Sequence, residues 1–477
     1  MINRKRSVLC LMLAGLLLLP GCSTQQSPDK LLDPGKPITV TIWHYYNGNI
    51  KEQFDGLVAE FNESVGMEKG IVVDAQSQGD VSQLADAVFN SASKTIGAAP
   101  MPDVFAAYPE NAFRVNQVTP LVDLKAYFTQ EELETFRQEF LSEGRFGSEN
   151  QLYILPIAKS TENLYVNREY WEAFAAENGF TVADLRTWEG LAAVAKVYRE
   201  KTGKGFFGID ANANFMLQSG VQLGSELFTF GEDGTVAFSM SETVARKIWE
   251  NYYIPYITGS FVKTGRFSSD DAKTGTVMAY TGSTAGAAYF PTEVTFSESE
   301  VFPISPLTLP YPYYAEGKPF AVQQGAGMCI SRTDEAHQYA AALFLKWFTE
   351  PAQNMRFAVS TGYLPVKNEA LTAERLKGAL AEADVTNPAI KASFATTTEM
   401  LQTYTFYNNK PFQGSYEVRA LLETDLFNKI LRDLEALAEQ KAAGADPQAV
   451  IAALTSEAAF VEWYESLQEK AAATMTQ

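Results

Sequence analysis

The chain has 477 residues, more than one hydrophobic core usually organises, so we expect two or more lobes. Its 46% hydrophobic, 20% charged and 12% aromatic residues are typical of a folded globular protein and exclude long disordered stretches. A formal net charge of −19 argues against a nucleic-acid partner, because phosphate binding requires a basic surface.

The first 21 residues predict a lipoprotein signal peptide. Three basic residues at 4–6 precede an apolar run at 8–19, which is too short to span a bilayer comfortably. The run ends in Leu-Pro-Gly-Cys, which resembles the lipobox at which bacterial lipoprotein precursors are lipidated on the cysteine and cut just before it. We therefore expect lipid on Cys22, anchoring to the bacterial cell membrane, and a solvated tether over 22–37.

Cysteine and histidine are scarce in this chain. Of three cysteines, Cys10 leaves with the signal peptide and Cys22 carries lipid, so Cys329 is left without a disulfide partner. Because Cys329 lies in an apolar run, we predict a buried strand residue. With only two histidines the chain lacks ligands for a zinc site of His and Cys, and we expect no metal and no cofactor.

From residue 38 onwards, strand and helix patterns alternate. Apolar residues follow a period of two or form short runs at 38–42, 71–73 and 104–106, and recur at helical spacing over 50–61 and 81–89. This order predicts a βαβαβ unit of a doubly wound parallel sheet.

Ligands of such sheets bind beyond the carboxyl ends of the strands. The first candidates for a site are therefore three loops, at 43–49, 76–80 and 107–110. Trp43, His44 and Tyr45 stand in the first of them. Aromatic rings with polar groups offer both an apolar face and hydrogen bonds, which a cleft for a small molecule requires. The alternative interpretation is that these three residues form a cluster packed for stability.

A glycine-rich stretch at 281–286 is the next candidate. It lacks the Lys and Thr of a phosphate-cradling loop, so ATP binding is not expected. Free backbone amides at Gly282 and Ser283 would hydrogen-bond a polar solute, and an ordinary turn is the alternative.

Two crossings between lobes are predicted, one near residue 159 and one in the proline-rich stretch that follows residue 300. They divide the chain into a first lobe, 38–158 and 301–349, and a second lobe, 159–300 and 350–477. Thr187 is predicted to cap a helix of the second lobe, and the last part of the chain is predicted to be helical.

Together these segments resemble the family 1 extracellular solute-binding proteins, a group with maltose-, oligosaccharide- and glycerol-3-phosphate-binding members. The resemblance runs from about Ile38 to Leu467 and rests on short signatures in a fixed order: Trp43-His44, Pro102-Asp103-Val104-Phe105, Leu155-Pro156 through Tyr165-Val166-Asn167, Thr187-Trp188-Glu189 and Thr361-Gly362-Tyr363-Leu364-Pro365-Val366. It implies an α/β, two-lobed periplasmic-binding-protein fold of type II, in which each lobe is a sheet flanked by helices and hinge strands join the lobes.

The resemblance also implies a function. The chain would be the substrate-binding lipoprotein of an ABC importer, outside the cytoplasmic membrane, that closes on a small polar solute and delivers it to the membrane permease. It would act as a monomer and perform no chemistry.

Within the family, the resemblance is closest to the glycerol-3-phosphate-binding branch. Carried over by position, the residues that would line the cleft are Tyr45, Ser160, Ser283, Gly325 and Tyr363. With their neighbours, the full predicted site is Trp43, His44, Tyr45, Ser160, Thr161, Gly282, Ser283, Gly325 and Tyr363.

Two departures from that branch bear on the solute. The stretch 409–416 has no arginine where the branch holds phosphate, although Lys410 and Arg419 are close by, and an acidic first-lobe contact is replaced near Ser82. We therefore expect a neutral sugar or oligosaccharide. Glycerol 3-phosphate or a glycerophosphodiester is the first alternative, and a secreted carbohydrate-active enzyme or a surface adhesin would be a different class.

Overall fold

The computed structural model describes residues 28–231, 234–297, 300–383 and 385–475. The predicted signal peptide, Cys22 and the start of the predicted tether lie outside the described residues. The strands are β1 (Ile38–His44), β2 (Ile71–Ser77), β3 (Val104–Ala107), β4 (Arg145–Phe146), β5 (Gln151–Leu152), β6 (Glu162–Asn167), β7 (Phe207–Ile209), β8 (Phe228–Phe230), β9 (Val236–Phe238), β10 (Ala279–Ser283), β11 (Glu293–Ser297), β12 (Glu300–Pro303), β13 (Pro306–Pro310), β14 (Phe320–Val322), β15 (Gly327–Ile330) and β16 (Thr405–Tyr407).

The helices are α1 (Gly48–Phe61), α2 (Met67–Lys69), α3 (Val81–Ala92), α4 (Pro109–Val118), α5 (Gln130–Glu134), α6 (Gln138–Ser142), α7 (Arg168–Asn178), α8 (Trp188–Thr202), α9 (Asn212–Gln222), α10 (Glu242–Ile248), α11 (Ile254–Ile257), α12 (Ser268–Lys273), α13 (Glu335–Phe348), α14 (Pro351–Thr361), α15 (Ala373–Glu382), α16 (Pro388–Thr403), α17 (Ser415–Ala442), α18 (Pro447–Leu454) and α19 (Glu457–Met475). Two π-helical segments, Asn62–Gly66 and Trp249–Tyr253, each lie between two of these helices.

The first lobe is built on the sheet β15-β3-β1-β2. Strand β1 runs parallel to β2 and to β3, with α1 between β1 and β2 and α3 between β2 and β3, so the predicted βαβαβ unit is confirmed. The fourth strand, β15, runs antiparallel to β3 and contains Cys329, which is fully buried and has no disulfide, as predicted. Burial raises the pKa of its thiol, which keeps the sulfur protonated and unreactive.

An aromatic core holds the first lobe together. Phe54 of α1 packs against Phe348 of α13 and Phe357 of α14 at ring-centroid distances of 5.5 and 6.2 Å, and all three are buried. Burying one such ring contributes about 1.5–3 kcal/mol, so this cluster fixes helices from distant parts of the chain on one face of the sheet.

The second lobe is built on the sheet β13-β6-β10-β7, in which the central strand β6 is buried along its whole length. Strand β6 runs antiparallel to both β13 and β10. Thr187 caps α8 by accepting a hydrogen bond from the Gly190 amide at 3.1 Å, as predicted. The core under α17 includes Leu422, Leu426 and Ile430, which recur at helical spacing and are fully buried.

Two segments of chain, around Ser160 and around Gln324, pass between the lobes and pair with each other. Isolated bridges join Leu155 to Met328, Ser160 to Gln324 and Lys159 to Leu364. The hinge strands that the sequence predicts are therefore present. Leu364 pairs with one of them, and the chain then returns to the first lobe, where Lys367 bridges Phe136.

Several stretches lie against a different lobe from the one predicted, among them Phe320–Val322, which pairs with Thr405–Tyr407 and contacts α9 of the second lobe. Pro306–Pro310 forms β13, which pairs with β6 at the edge of the second sheet. Prolines are tolerated on an edge strand, so these prolines do not mark a crossing between lobes. Helix α14 packs on α1 of the first lobe, although the prediction gave all of 350–477 to the second. Helical spacing shows that a face is buried but not against which core.

Candidate functional site

Three tyrosine hydroxyls meet at the hinge, on the first-lobe side. The Tyr45 hydroxyl lies 3.3 Å from that of Tyr363 and accepts the Ala326 amide at 3.3 Å. The Tyr108 hydroxyl accepts the Gly325 amide at 3.3 Å, and burial raises the pKa of Tyr108 to about 12. Burial raises the pKa of all three hydroxyls, so each keeps its proton at neutral pH. Since one of the Tyr45 and Tyr363 hydroxyls donates to the other, only one of that pair has a proton free for a solute.

Gly325 occupies a position that requires glycine. Its φ is +89°, and a Cβ there would lie 2.5 Å from the Ala158 carbonyl oxygen and 3.0 Å from the Lys159 Cα. Two hinge segments cross at this point with their backbones in contact, so the position predicted to line a site also fixes the crossing.

Ser160, Thr161 and Ser283 lie on the second-lobe side of the hinge. Ser160 exchanges backbone hydrogen bonds with Gln324 at 2.8 and 2.9 Å, and the Ser283 hydroxyl donates to the Ser160 hydroxyl at 3.4 Å. The Thr161 hydroxyl is buried and donates to the Val322 carbonyl at 2.7 Å, so its proton is committed to the hinge.

The structure corrects the placement of two predicted site residues. His44 ends β1, on the face of Val40 and Ile42, and is fully buried between the rings of Tyr46 and Phe54. Its Nδ1 accepts the Tyr46 amide, and burial lowers its pKa to about 4, so the ring is neutral at pH 7.

Gly282 lies inside β10, opposite Asn163 of β6, so it belongs to the sheet rather than to an open turn. The apolar run before it misled the prediction, because the strand begins at Ala279 and includes the glycine. Trp43 is buried, and its indole N–H donates a hydrogen bond to the side-chain oxygen of Gln76 at 3.2 Å.

A buried ion pair fastens the base of the cleft. Lys159 Nζ lies 2.6 Å from Glu143 Oε2 and donates to the Gly325 carbonyl at 2.6 Å. Gln323 also donates to Glu143, and both charged side chains are almost wholly buried. Burial lowers the pKa of Lys159, and the Glu143 carboxylate opposes that shift. Nothing in the local sequence of either residue signals the pair.

A chain of hydrogen bonds leads from the hinge into the second lobe. Gln324 and Asn214 both donate to one oxygen of Glu162, at 2.7 and 2.8 Å, and Arg419 donates to the Asn214 side-chain oxygen at 2.5 Å. Burial raises the pKa of Glu162 to about 7, and the Asn214 hydrogen bond opposes the shift. Glu110, at the start of α4 in the first lobe, is almost wholly buried; burial raises its pKa, and the charge of Arg419 opposes that shift.

At the mouth of the cleft, side chains of the two lobes touch. The Arg114 guanidinium of α4 stacks 3.7 Å from the ring centroid of Tyr416 in α17. Arg266, before α12, forms a 3.0 Å ion pair with Asp80, the N-cap of α3. These contacts place the lobes in a closed arrangement.

Two α/β lobes, two paired hinge segments and a polar cleft between the lobes define the class of two-lobed binding proteins. The sequence profile of the bacterial extracellular solute-binding proteins matches residues 56–391, more than two thirds of the chain. The chain therefore belongs to that family of extracytoplasmic binding proteins, which confirms the resemblance seen in the sequence.

Solved structures with the same fold cover nearly the whole chain. The cyclic α-maltosyl-1,6-maltose binding protein from Arthrobacter globiformis is 19% identical, covers 92% of this chain and 99% of its own, and has a TM-score of 0.64. UgpB from Mycobacterium tuberculosis in complex with glycerophosphocholine is 19% identical and covers 85% and 99%, with a TM-score of 0.62. An ABC substrate-binding protein from Listeria monocytogenes in complex with cycloalternan is 16% identical and covers 86% and 100%, with a TM-score of 0.62.

At these identities the likeness shows the fold alone. No curated protein sequence matches the chain. Among the helices of the described residues, none is long and apolar enough to cross a membrane.

Proposed function

We propose that this chain is the substrate-binding lipoprotein of an ABC importer and that it captures a sugar or oligosaccharide between its lobes. The observation that carries the proposal is the convergence of Tyr45, Tyr108 and Tyr363 at Gly325, where the hinge segments cross. Aromatic faces cover the apolar faces of sugar rings, while hydroxyls and backbone groups take up the sugar hydroxyls. Ser160 and Ser283 face the same region from the second lobe.

The solute acts by stabilising the closed form. Only in that form do both lobes contact it, so binding shifts the equilibrium between open and closed arrangements by the difference in contact free energy. A micromolar dissociation constant corresponds to about −8 kcal/mol, which a few such contacts supply. The closed protein then docks on a permease and releases the solute unchanged.

Lipid on Cys22 would keep the protein beside that permease. Two acyl chains, at roughly 0.8 kcal/mol per buried methylene, hold a protein at a membrane almost permanently, while residues 23–37 serve as tether. Cys22→Ser is expected to move the protein from the membrane fraction to the soluble fraction. We expect the tethered protein to act as a monomer.

A glycerophosphodiester remains the alternative solute, since the M. tuberculosis protein of this fold was solved with glycerophosphocholine. The two solute classes are separated by a thermal-shift screen of neutral oligosaccharides against glycerophosphodiesters. At 100 times its dissociation constant, a true solute stabilises the folded protein by about 2.7 kcal/mol.

Chromatography of the best solute after incubation distinguishes capture from catalysis. Capture returns the solute intact and lowers the radius of gyration in solution scattering, because the solute draws molecules from open to closed. Conversion of the solute would instead identify an enzyme, and a protein that retains none of the panel would contradict a capture function.

A further inference from the structure

A groove lies between α15 and α16, away from the residues of the interlobe cleft. It has a volume of about 460 Å³ and is open to solvent. Sites for small molecules occupy roughly 300–1,000 Å³, so the groove is large enough to hold one.

The two walls of the groove are fixed by different lobes. Helix α15 packs on α14, which in turn packs on α1 of the first lobe. Helix α16 packs on β13 of the second sheet, and its Ser393 and Thr397 hydroxyls accept hydrogen bonds from Asn163 of β6 at 3.1 and 3.2 Å. Each helix is therefore held by its own core, and the space between them is left unfilled by either.

The lining of the groove is mainly apolar. Leu376 of α15 and Phe394 of α16 line it and are 2% and 3% exposed, and Leu380 and Ala395 line it nearer to solvent. Burial of apolar surface contributes roughly 25 cal/mol per Å², so a ligand that covers this lining needs an apolar part.

Two lysines face each other across the lining, one from each helix. Lys377 of α15 and Lys391 of α16 are exposed, and within the described part of the chain neither forms an ion pair. No carboxylate of the described residues lines the groove, although the whole chain has 57 acidic and 38 basic residues. The groove is therefore a locally positive site on an acidic protein, and it attracts anions.

We propose that this groove is a second binding site, for a small amphipathic anion with an acidic head group and a hydrocarbon tail. The tail covers Leu376, Leu380 and Phe394, while the head group accepts hydrogen bonds from the ammonium groups of Lys377 and Lys391. Because the groove shares no residue with the interlobe cleft, its ligand is a different molecule from the solute that the lobes enclose.

A displacement experiment tests the class of ligand. The reporter is 1-anilinonaphthalene-8-sulfonate, an apolar anion that fluoresces when it leaves water. We expect decanoate to displace the reporter and decanol to displace it at least about tenfold less well, because a hydrogen bond to a charged group is lost. Equal displacement by decanoate and decanol would overturn the inference, since the lysines would then have no role.

Two variants with matched controls test the location. Ala395→Leu fills the groove and Lys391→Glu reverses one of its charges, while Ala438→Leu on α17 and Lys196→Glu on α8 make the same changes at exposed positions elsewhere. We expect each groove variant to weaken decanoate binding about tenfold or more and the controls to leave it unchanged.

All four positions are exposed, so the unfolding midpoint of every variant should stay near that of the wild type. Wild-type affinity in both groove variants would overturn the inference, and so would a wild type that binds no decanoate. Neither result bears on solute capture in the interlobe cleft.

Discussion

The base of the cleft and its mouth are held by different kinds of contact. At the base, hinge segments share backbone hydrogen bonds and the buried ion pair of Lys159 with Glu143. At the mouth, the lobes share side-chain contacts, Arg114 with Tyr416 and Arg266 with Asp80. A protein that opens must keep the first set and give up the second, so its permanent contacts are buried and its reversible contacts are partly exposed.

The largest effect is expected at the base. Lys159→Met leaves the Glu143 carboxylate buried without its cation, and we expect the free energy of unfolding to fall by about 3–5 kcal/mol. Urea unfolding measures the loss.

The double variant Lys159→Met, Glu143→Gln is the control for that prediction. Since it removes the orphaned charge as well, it should be more stable than Lys159→Met alone. If the double variant were as unstable as the single one, the cost would come from packing, and the contrast between base and mouth would lose its electrostatic part.

An intermediate effect is expected from the buried side of the mouth. Tyr416→Leu removes the ring under Arg114, and a cation–π contact contributes about 0.5–1 kcal/mol at such sites. Losing it should speed solute release two- to fivefold by stopped-flow fluorescence, because the closed form is less favoured. Tyr416→Phe keeps the ring and should release solute at the wild-type rate; a faster rate would assign the role to the hydroxyl.

The smallest effect is expected from the exposed side of the mouth. Arg266 and Asp80 are 71% and 43% exposed, so their ion pair contributes about 0–1 kcal/mol and is screened by salt. Arg266→Gln should therefore weaken solute binding no more than about fivefold at low ionic strength and not at all near 1 M salt. A difference that persists at high salt would mean that Arg266 contacts the solute.

Local patterns predicted the parts of the molecule that depend on local chemistry. Apolar alternation and helical spacing predicted the βαβαβ unit. Thr187 was identified as an N-cap because a hydroxyl directly before a helix commonly accepts a hydrogen bond from a backbone amide of the first turn. The resemblance named Tyr45, Gly325 and Tyr363, which the structure brings together at one crossing.

Contacts that join distant parts of the chain were missed. Glu143 and Lys159 are separated by 16 residues and a change of direction, while Arg419 and Asn214 are separated by 205 residues. No spacing rule links such pairs, since only the fold sets their distance. His44 was misplaced for a simpler reason: β1 runs two residues further than its apolar alternation, which carries the ring into the core.

The inert thiol of Cys329 makes the protein convenient to label. A thiol-reactive dye would not react with Cys329, because its sulfur is buried in β15. A single cysteine introduced at the exposed edge of either lobe would therefore be the labelled residue. Expressed from residue 23, without the predicted lipidation site Cys22, such a protein would turn closure of the mouth into an optical signal for a bound solute.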